Sequence, residues 1–222
     1  MAKPLNRNQI AWRAAQDLEE GMVVNLGMGM PVLAANYAPA DREVIFQSEN
    51  GVIGAGPEAN ENEHDMDLVD ASSRFITLAS GASIVDSAGA FAMIRGGHVN
   101  VTLLGGFEVA ENGDLANWDM QVPNKGQLVG GAMDLAYGAG EVRVIMQHTT
   151  KSGEPRLLKR CKLPLTGPHC VTRVYTDLAV VDVSDAGFVV REILPGLSRE
   201  ELQAKSEGRL TFADDCKEMA VP

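Results

Sequence analysis

This 222-residue chain has few cysteines and no close pair of them. Cys161, Cys170 and Cys216 are too scattered for a disulfide framework, and no Cys-x-x-Cys occurs. No two histidines stand at metal-ligand spacing, so no metal site is expected. No apolar run is long enough to span a bilayer. The opening Met-Ala-Lys-Pro-Leu-Asn-Arg lacks the apolar stretch of a secretory signal, which points to a reducing cytoplasm. Positive charge is also scarce. The formal net charge of −11 argues against a partner that is nucleic acid or an anionic membrane. It leaves room for a small polyanion held by a few local cations and backbone amides.

The chain does have apolar residues, 45% of the whole, enough for one large globular domain. Ile10, Ala14 and Leu18 fall at helical spacing over 8–20, closed by Gly21. Met22–Leu26 reads as a buried strand. Gly27-Met28-Gly29-Met30-Pro31 reads as a glycine turn with proline at the first helical position, leading into a helix over 32–37. A strand over 43–47 delivers Glu49. The acid-rich stretch 58–70 reads as a loop, 75–78 as a short strand, 86–95 as a helix and 99–104 as a strand. A hairpin-like stretch carries Asn117. Gly130-Gly131 precedes a helix through Ala136, and 142–146 is a strand.

From about residue 153 the pattern becomes β-rich: 157–163, 171–175, 178–183 and 187–193, separated by turn signals. Ser198-Arg-Glu-Glu201 is a capping signature for a short helix. The tail from about Thr211 is expected to be loosely held. These readings make one α/β domain spanning 1–222, an open and mostly parallel sheet flanked by helices, with a β-rich C-terminal part.

Glu49 is the first chemical candidate. It sits in Gln47-Ser48-Glu49-Asn50-Gly51, where a strand ends and a turn begins. In open α/β sheets that edge is where ligands bind. Small or polar neighbours, Asn50 and Gly51 among them, leave space for a ligand. A surface ion pair is the alternative. The Gly27-x-Gly29 turn could offer amides to an anion or simply connect strand to helix. It is not a dinucleotide or P-loop fingerprint. Gly130-Gly131 could let a ligand approach the backbone, with an amide facing a reacting carbonyl, or be a packing turn. His98 and His148 read as hydrogen-bonded structural residues and His64 as part of a solvated acidic loop. The cysteines read as small apolar fillers, and Met28 and Met30 as packing residues.

Six stretches in order resemble one family. They are Val24-Asn-Leu-Gly-Met-Gly-Met-Pro31, Gln47-Ser-Glu-Asn-Gly51 with Gly54-Ala-Gly-Pro57, Phe91-Ala-Met-Ile-Arg-Gly-Gly-His98, Gly113-Asp-Leu-Ala-Asn-Trp118, Gly130-Gly-Ala-Met-Asp134 and Pro164-Leu-Thr-Gly167. Together they span about 8–205 and closely resemble the B subunit of class I coenzyme A transferases of the succinyl-CoA:3-oxoacid type. The resemblance implies Glu49 as a nucleophile that forms a glutamyl-CoA thioester. It also implies substrate or CoA contacts near Asn25, Asn117 and Gly130-Gly131, and a separate A subunit, two of each in the assembly. CoA would be a substrate, and no cofactor is implied.

This chain departs from the pattern at Asp70-Ala-Ser-Ser73, with Arg74 standing one place after the usual lysine, and at 119–126. Arg74, Arg95 and Lys125 are the candidate cations for CoA. His148-Thr-Thr-Lys-Ser-Gly-Glu154, Val129 and Tyr175-Thr-Asp-Leu-Ala-Val180 look like the 3-oxoadipate branch. Phe91–Arg95 is shared with the acetoacetate branch. An acyl-CoA hydrolase, a sugar-phosphate isomerase and a non-catalytic binding subunit are the competing readings.

Overall fold

A computed structural model describes residues 3–60, 62, 64–122 and 126–222. Helix α1 (Arg7–Ala15) starts at a capping box: Asn6 accepts from the Gln9 amide while the Gln9 side chain accepts from the Asn6 amide. It ends short of the expected residue 20. Beyond it Asp17 turns inward to accept from Arg13, Arg173 and the Tyr175 hydroxyl. Strand β1 (Val23–Leu26) leads through the glycine turn into a 3-10 helix over Pro31–Tyr37. β2 (Ile45–Ser48) and β3 (Val52–Glu58) form a hairpin whose turn carries Glu49. β4 (Ile76–Ile84) pairs antiparallel with β3.

Next come α2 (Ser87–Arg95), capped by Asp86, and then β5 (Val101–Gly105). Two short strands follow, β6 (Glu108–Ala110) and β7 (Leu115–Ala116). α3 (Ala132–Gly138) opens at Gly131, and β8 (Glu141–Ile145) and β9 (Leu157–Leu158) follow. The chain closes with β10 (Val171–Tyr175), β11 (Ala179–Ser184), β12 (Gly187–Ile193), α4 (Arg199–Ala204) and β13 (Leu210–Glu218). The capping box expected at Ser198 and Glu201 is formed.

Among the described residues the main sheet has ten strands in the order β13-β12-β11-β10-β8-β5-β1-β2-β3-β4. Its centre, β10-β8-β5-β1-β2, is parallel throughout. Those strands are rich in Val, Ile and Leu, and Val24, Val101, Leu103, Val144 and Val174 are buried between helices and sheet. A second sheet, β7-β6-β9, packs beside it.

The β-rich C-terminal part, β10–β13, extends the main sheet. Two expectations change. The loosely held tail from about 211 is overturned. Residues 210–218 form a strand parallel to β12, and Met219 beyond it is buried. The short strand at 75–78 is instead nine residues long. Its later part, Ala79-Ser-Gly-Ala-Ser83, has weak strand preference, and pairing with β3 is what orders it.

Candidate active site

The parallel centre fixes where a ligand can sit. From β1 the chain goes to β2 on one side, then crosses to β5 and β8 on the other. β1 and β5 are neighbours where the winding reverses, so their carboxyl ends diverge into a crevice. A cleft of about 510 Å³ lies there. Gly27 and Met30 from the end of β1, Leu104–Gly106 from the end of β5, Glu49, Asn117 and Gly130–Ala132 line it.

Glu49 reaches the cleft because its hairpin is tightly built. Gly51 has φ +119°, and a Cβ there would stand 2.0 Å from the Val85 carbonyl oxygen. Only glycine allows that approach. The Gly51 amide donates to the Ser48 carbonyl at 3.0 Å, and the Asn50 side chain donates to the Val69 carbonyl at 2.8 Å. Ser48 Oγ accepts from the Ala71 amide. Asn50 and Gly51 therefore hold the loop and do not line the cleft.

The Glu49 carboxylate is half-buried. Burial pushes its pKa above the ordinary 4.5, and the nearby Asp134 carboxylate pushes the same way. Among the described residues no cation lies within ion-pair distance of it. Asp134 is itself paired with Arg95 at 2.7 Å. A Cβ built on Gly131 would fall 2.6 Å from a Glu49 carboxylate oxygen and 2.6 Å from the Phe91 ring. The double glycine therefore brings bare backbone against the carboxylate. Among the described residues the amides of Gly130 and Gly131 have no acceptor, so they are free to donate to a ligand.

The other sequence candidates divide. Asn117 lines the cleft and is rigidly held. Its side chain donates to the Gly105 carbonyl at 3.0 Å and accepts from the Thr166 hydroxyl at 2.6 Å. That bond ties the Asn117 stretch to the Thr166 stretch. Gly27 lines the cleft too, but its amide already donates to the Leu103 carbonyl at 2.8 Å, so it cannot serve an anion. Gly29 faces a different hollow, with Arg7 and Leu33. Asn25 is fully buried, where its side chain donates to Gln47 across β1 and β2. It does not reach the cleft.

Arg74 points elsewhere as well, ion-paired to Asp70 at 3.0 Å and to Glu58 at 3.6 Å. Lys125 lies outside the described residues. His148 is buried between the Thr176 and Ser206 hydroxyls, and burial lowers its pKa to about 4. It is a structural, neutral histidine. His98 is exposed rather than packed. Met28, at 58% exposure on the cleft rim, is not a packing residue either. The cysteines are partly buried, with desolvation pushing the thiols of Cys161 and Cys170 up to about 12 and about 11. Among the described residues no three His, Cys, Asp or Glu side chains gather as a metal site, and no helix is long and apolar enough to cross a membrane.

Sequence reasoning missed Phe91 and Asp134, whose nearness to Glu49 depends on α2 packing against α3. It also missed Arg156, which lines the cleft from the second sheet's side.

Comparison with known proteins bears on this geometry. The profile of the coenzyme A transferase family matches residues 7–205. The B subunit of a 3-oxoadipate CoA-transferase of Acinetobacter baylyi is 47% identical over 199 residues, covering 90% of this chain and 92% of that one. The B subunit of a succinyl-CoA:3-ketoacid coenzyme A transferase of Helicobacter pylori is 47% identical over 202 residues, covering 90% and 96%. The crystal structure of an acyl-CoA transferase from Escherichia coli superposes with a TM-score of 0.73 at 19% identity. It covers 99% of this chain, and this chain spans 45% of that longer one.

Proposed function

The chain belongs to the coenzyme A transferase family, and from that premise we propose that it is the nucleophile-bearing B subunit of an enzyme moving CoA from succinyl-CoA to a 3-oxo acid, with 3-oxoadipate the favoured acceptor. One observation carries the reading. A partly desolvated carboxylate, unpaired among the described residues, touches a bare double-glycine turn whose amides have no acceptor among them, at the crevice where the sheet's winding reverses.

The chemistry follows from conserving the thioester. A serine nucleophile would yield an oxygen ester and lose much of the thioester's energy. A carboxylate can itself become a thioester. A Glu49 oxygen attacks the acyl-CoA carbonyl and CoA leaves as thiolate, giving an acyl-glutamyl anhydride. The thiolate then attacks the glutamyl carbonyl, and the first acid leaves as carboxylate. Glu49 now carries CoA. A second carboxylate attacks this thioester, expels the thiolate and forms a new anhydride, which the thiolate opens at the acyl carbon to release the new acyl-CoA and free Glu49.

No general base is required, because the attacking groups are already anions. Burial without a counter-ion strips solvent from the Glu49 carboxylate, which favours its attack. In this reading the Gly130 and Gly131 amides receive the tetrahedral oxyanion, a role worth about 3–4 kcal/mol per donor. Binding energy from the distant parts of CoA must be used at this centre.

A separate A subunit, in an A2B2 assembly, completes the site, and the complex works in the cytoplasm. Asn117 Oδ1 and Nδ2 are both engaged internally, so its part is to shape the cleft wall. The test is direct. The reconstituted pair, given acyl-CoA, should yield a glutamyl-CoA adduct at Glu49 in peptide mass spectrometry. Adduct at another residue, or full exchange by Glu49→Gln with deamidation excluded, would remove Glu49 from the role. Release of acid and CoA without an acceptor would favour the hydrolase instead.

A further inference from the structure

Arg156 faces the Glu49 cleft from the far side, together with Phe107 and Met120. The same three residues line a second hollow of about 350 Å³, so they form the partition between the two spaces. Among the described residues the buried Arg156 Nε has no hydrogen-bond partner. Among the described residues no carboxylate lies within 4.0 Å of its guanidinium. The two acids whose charges reach it, Asp177 and Glu108, are held by other donors. Asp177 accepts from the His148 amide at 2.7 Å, and Glu108 from the Lys162 and Leu163 amides at 2.7 and 2.9 Å.

The backbone under Arg156 is fixed. Its amide donates to the His148 carbonyl at 3.2 Å, its carbonyl accepts from the Val109 amide at 3.0 Å, and β9 follows at once. A partly desolvated guanidinium whose buried Nε is left without a partner is a costly arrangement. A bound anion would remove that cost.

We propose that Arg156 binds the distal carboxylate of the acyl group, the one that does not react. The proposal rests on the transferase reading above. A succinyl donor carries one free carboxylate besides its thioester, and a 3-oxoadipate acceptor carries two carboxylates. The thioester carbonyl or the reacting carboxylate must meet Glu49 and the Gly131 amide, and the remaining carboxylate then projects into the cleft. Between the two ends the walls are apolar, with Met30, Leu104, Phe107 and Ile145, which suits a short methylene chain. A planar guanidinium matches one carboxylate in bidentate geometry. A single half-buried guanidinium is poorly matched to the multiply charged nucleotide end of CoA, which needs several exposed cations. Arg156 thus selects four- and six-carbon dicarboxylates at both halves of the exchange, and it disfavours a 3-oxo acid that ends in a methyl group.

Two measurements decide it. In the first, the full chain is titrated with succinate or butyrate at matched ionic strength and its thermal unfolding is followed. Succinate raises the midpoint of the wild type and of Arg156→Lys above the effect of butyrate, and Arg156→Gln loses this difference. An equal response of Arg156→Gln and wild type to succinate overturns the proposal whatever reaction the protein catalyses.

In the second, the pair reconstituted with its A subunit is assayed with 3-oxoadipate and acetoacetate. Arg156→Gln raises KM for 3-oxoadipate about 10- to 100-fold, the scale of a lost charge-assisted hydrogen-bond pair. KM for acetoacetate stays within about 3-fold, and Arg156→Lys recovers part of the loss. An equal fall in kcat/KM for both acids, the quantity that reports the acceptor half alone, overturns the subsite and leaves the transferase reading standing. A wild-type pair that exchanges no acyl-CoA strikes that reading instead, while the first measurement still judges Arg156.

Discussion

Glu49 carries a cost in the folded state that its chemistry requires. Its carboxyl is held above 4.5 in the fold and returns to that value on unfolding. A folded-state pKa raised for an acid means that stability falls as pH rises from 4.5 through the raised value, then stays level. Glu49→Gln removes the buried charge. We expect the variant to be more stable than the wild type at pH 8, with the gap shrinking towards pH 4, as urea unfolding at the two pH values would show. A gap that widens on acidification would contradict the desolvated carboxylate.

Gly131 offers a second residue-scale test. Its φ of −72° suits any L residue, so the fold tolerates a side chain there. The obstacle is local, since the new Cβ meets Glu49 and Phe91. Gly131→Val should keep its circular-dichroism spectrum and lose exchange activity at least about 100-fold, the size of one lost oxyanion donor.

At the scale of elements, α1 is held to the sheet by charge as well as by apolar contact. Arg13 donates to both oxygens of Glu192 on β12, at 2.7 and 2.9 Å, and to Asp17 at 2.8 Å. Asp17 in turn accepts from Arg173 and Tyr175 on β10. Glu192 is 4% exposed, and its other cation, Lys217, stands 3.5 Å away. Removing one partner from such a buried pair typically costs about 3–5 kcal/mol. Arg13→Met should show a loss of that order in urea unfolding at pH 7. Arg13→Met with Glu192→Leu should recover most of it. This network spans 179 positions of sequence, and no local pattern announces it.

For the whole molecule, charge and surface point outward from the cleft. The chain carries −11, and among the described residues the arginines at or beside the cleft are Arg156 and the Asp134-bound Arg95. CoA brings several phosphate charges of its own. Leu128 at 55% and Val129 at 77% exposure line the cleft, and Tyr137 on α3 is 94% exposed. A partner that adds cations and covers these side chains meets both needs. The purified chain alone should therefore show no label exchange between succinyl-CoA and succinate. Adding the A subunit should restore it, and Tyr137→Asp should weaken the association without moving Glu49. Robust turnover by the chain alone would show a complete site and remove the need for a partner.

Much of this was legible in the sequence because it is local. Strand composition, the Ser198 capping box and the Asn-Gly turn all act within a few residues, so the parallel centre and the place of Glu49 at a strand end follow from reading along the chain. Asn25 shows the limit: its neighbourhood resembles a ligand site, yet pairing of β1 with β2 turns it onto Gln47 in the interior. The tail shows another, since a polar stretch from 211 becomes a strand only when β12 supplies its hydrogen bonds. Gly131 is a glycine in any reading, but its contact with Glu49 exists only because α2 and α3 pack where the sheet's winding reverses. Arg156 is one arginine among many until folding strips it of partners and faces it across the cleft. Residue chemistry and local geometry are written in sequence order. Which groups end up buried, unpaired and opposed is decided by contacts between distant segments, and in this protein those contacts assemble the chemistry.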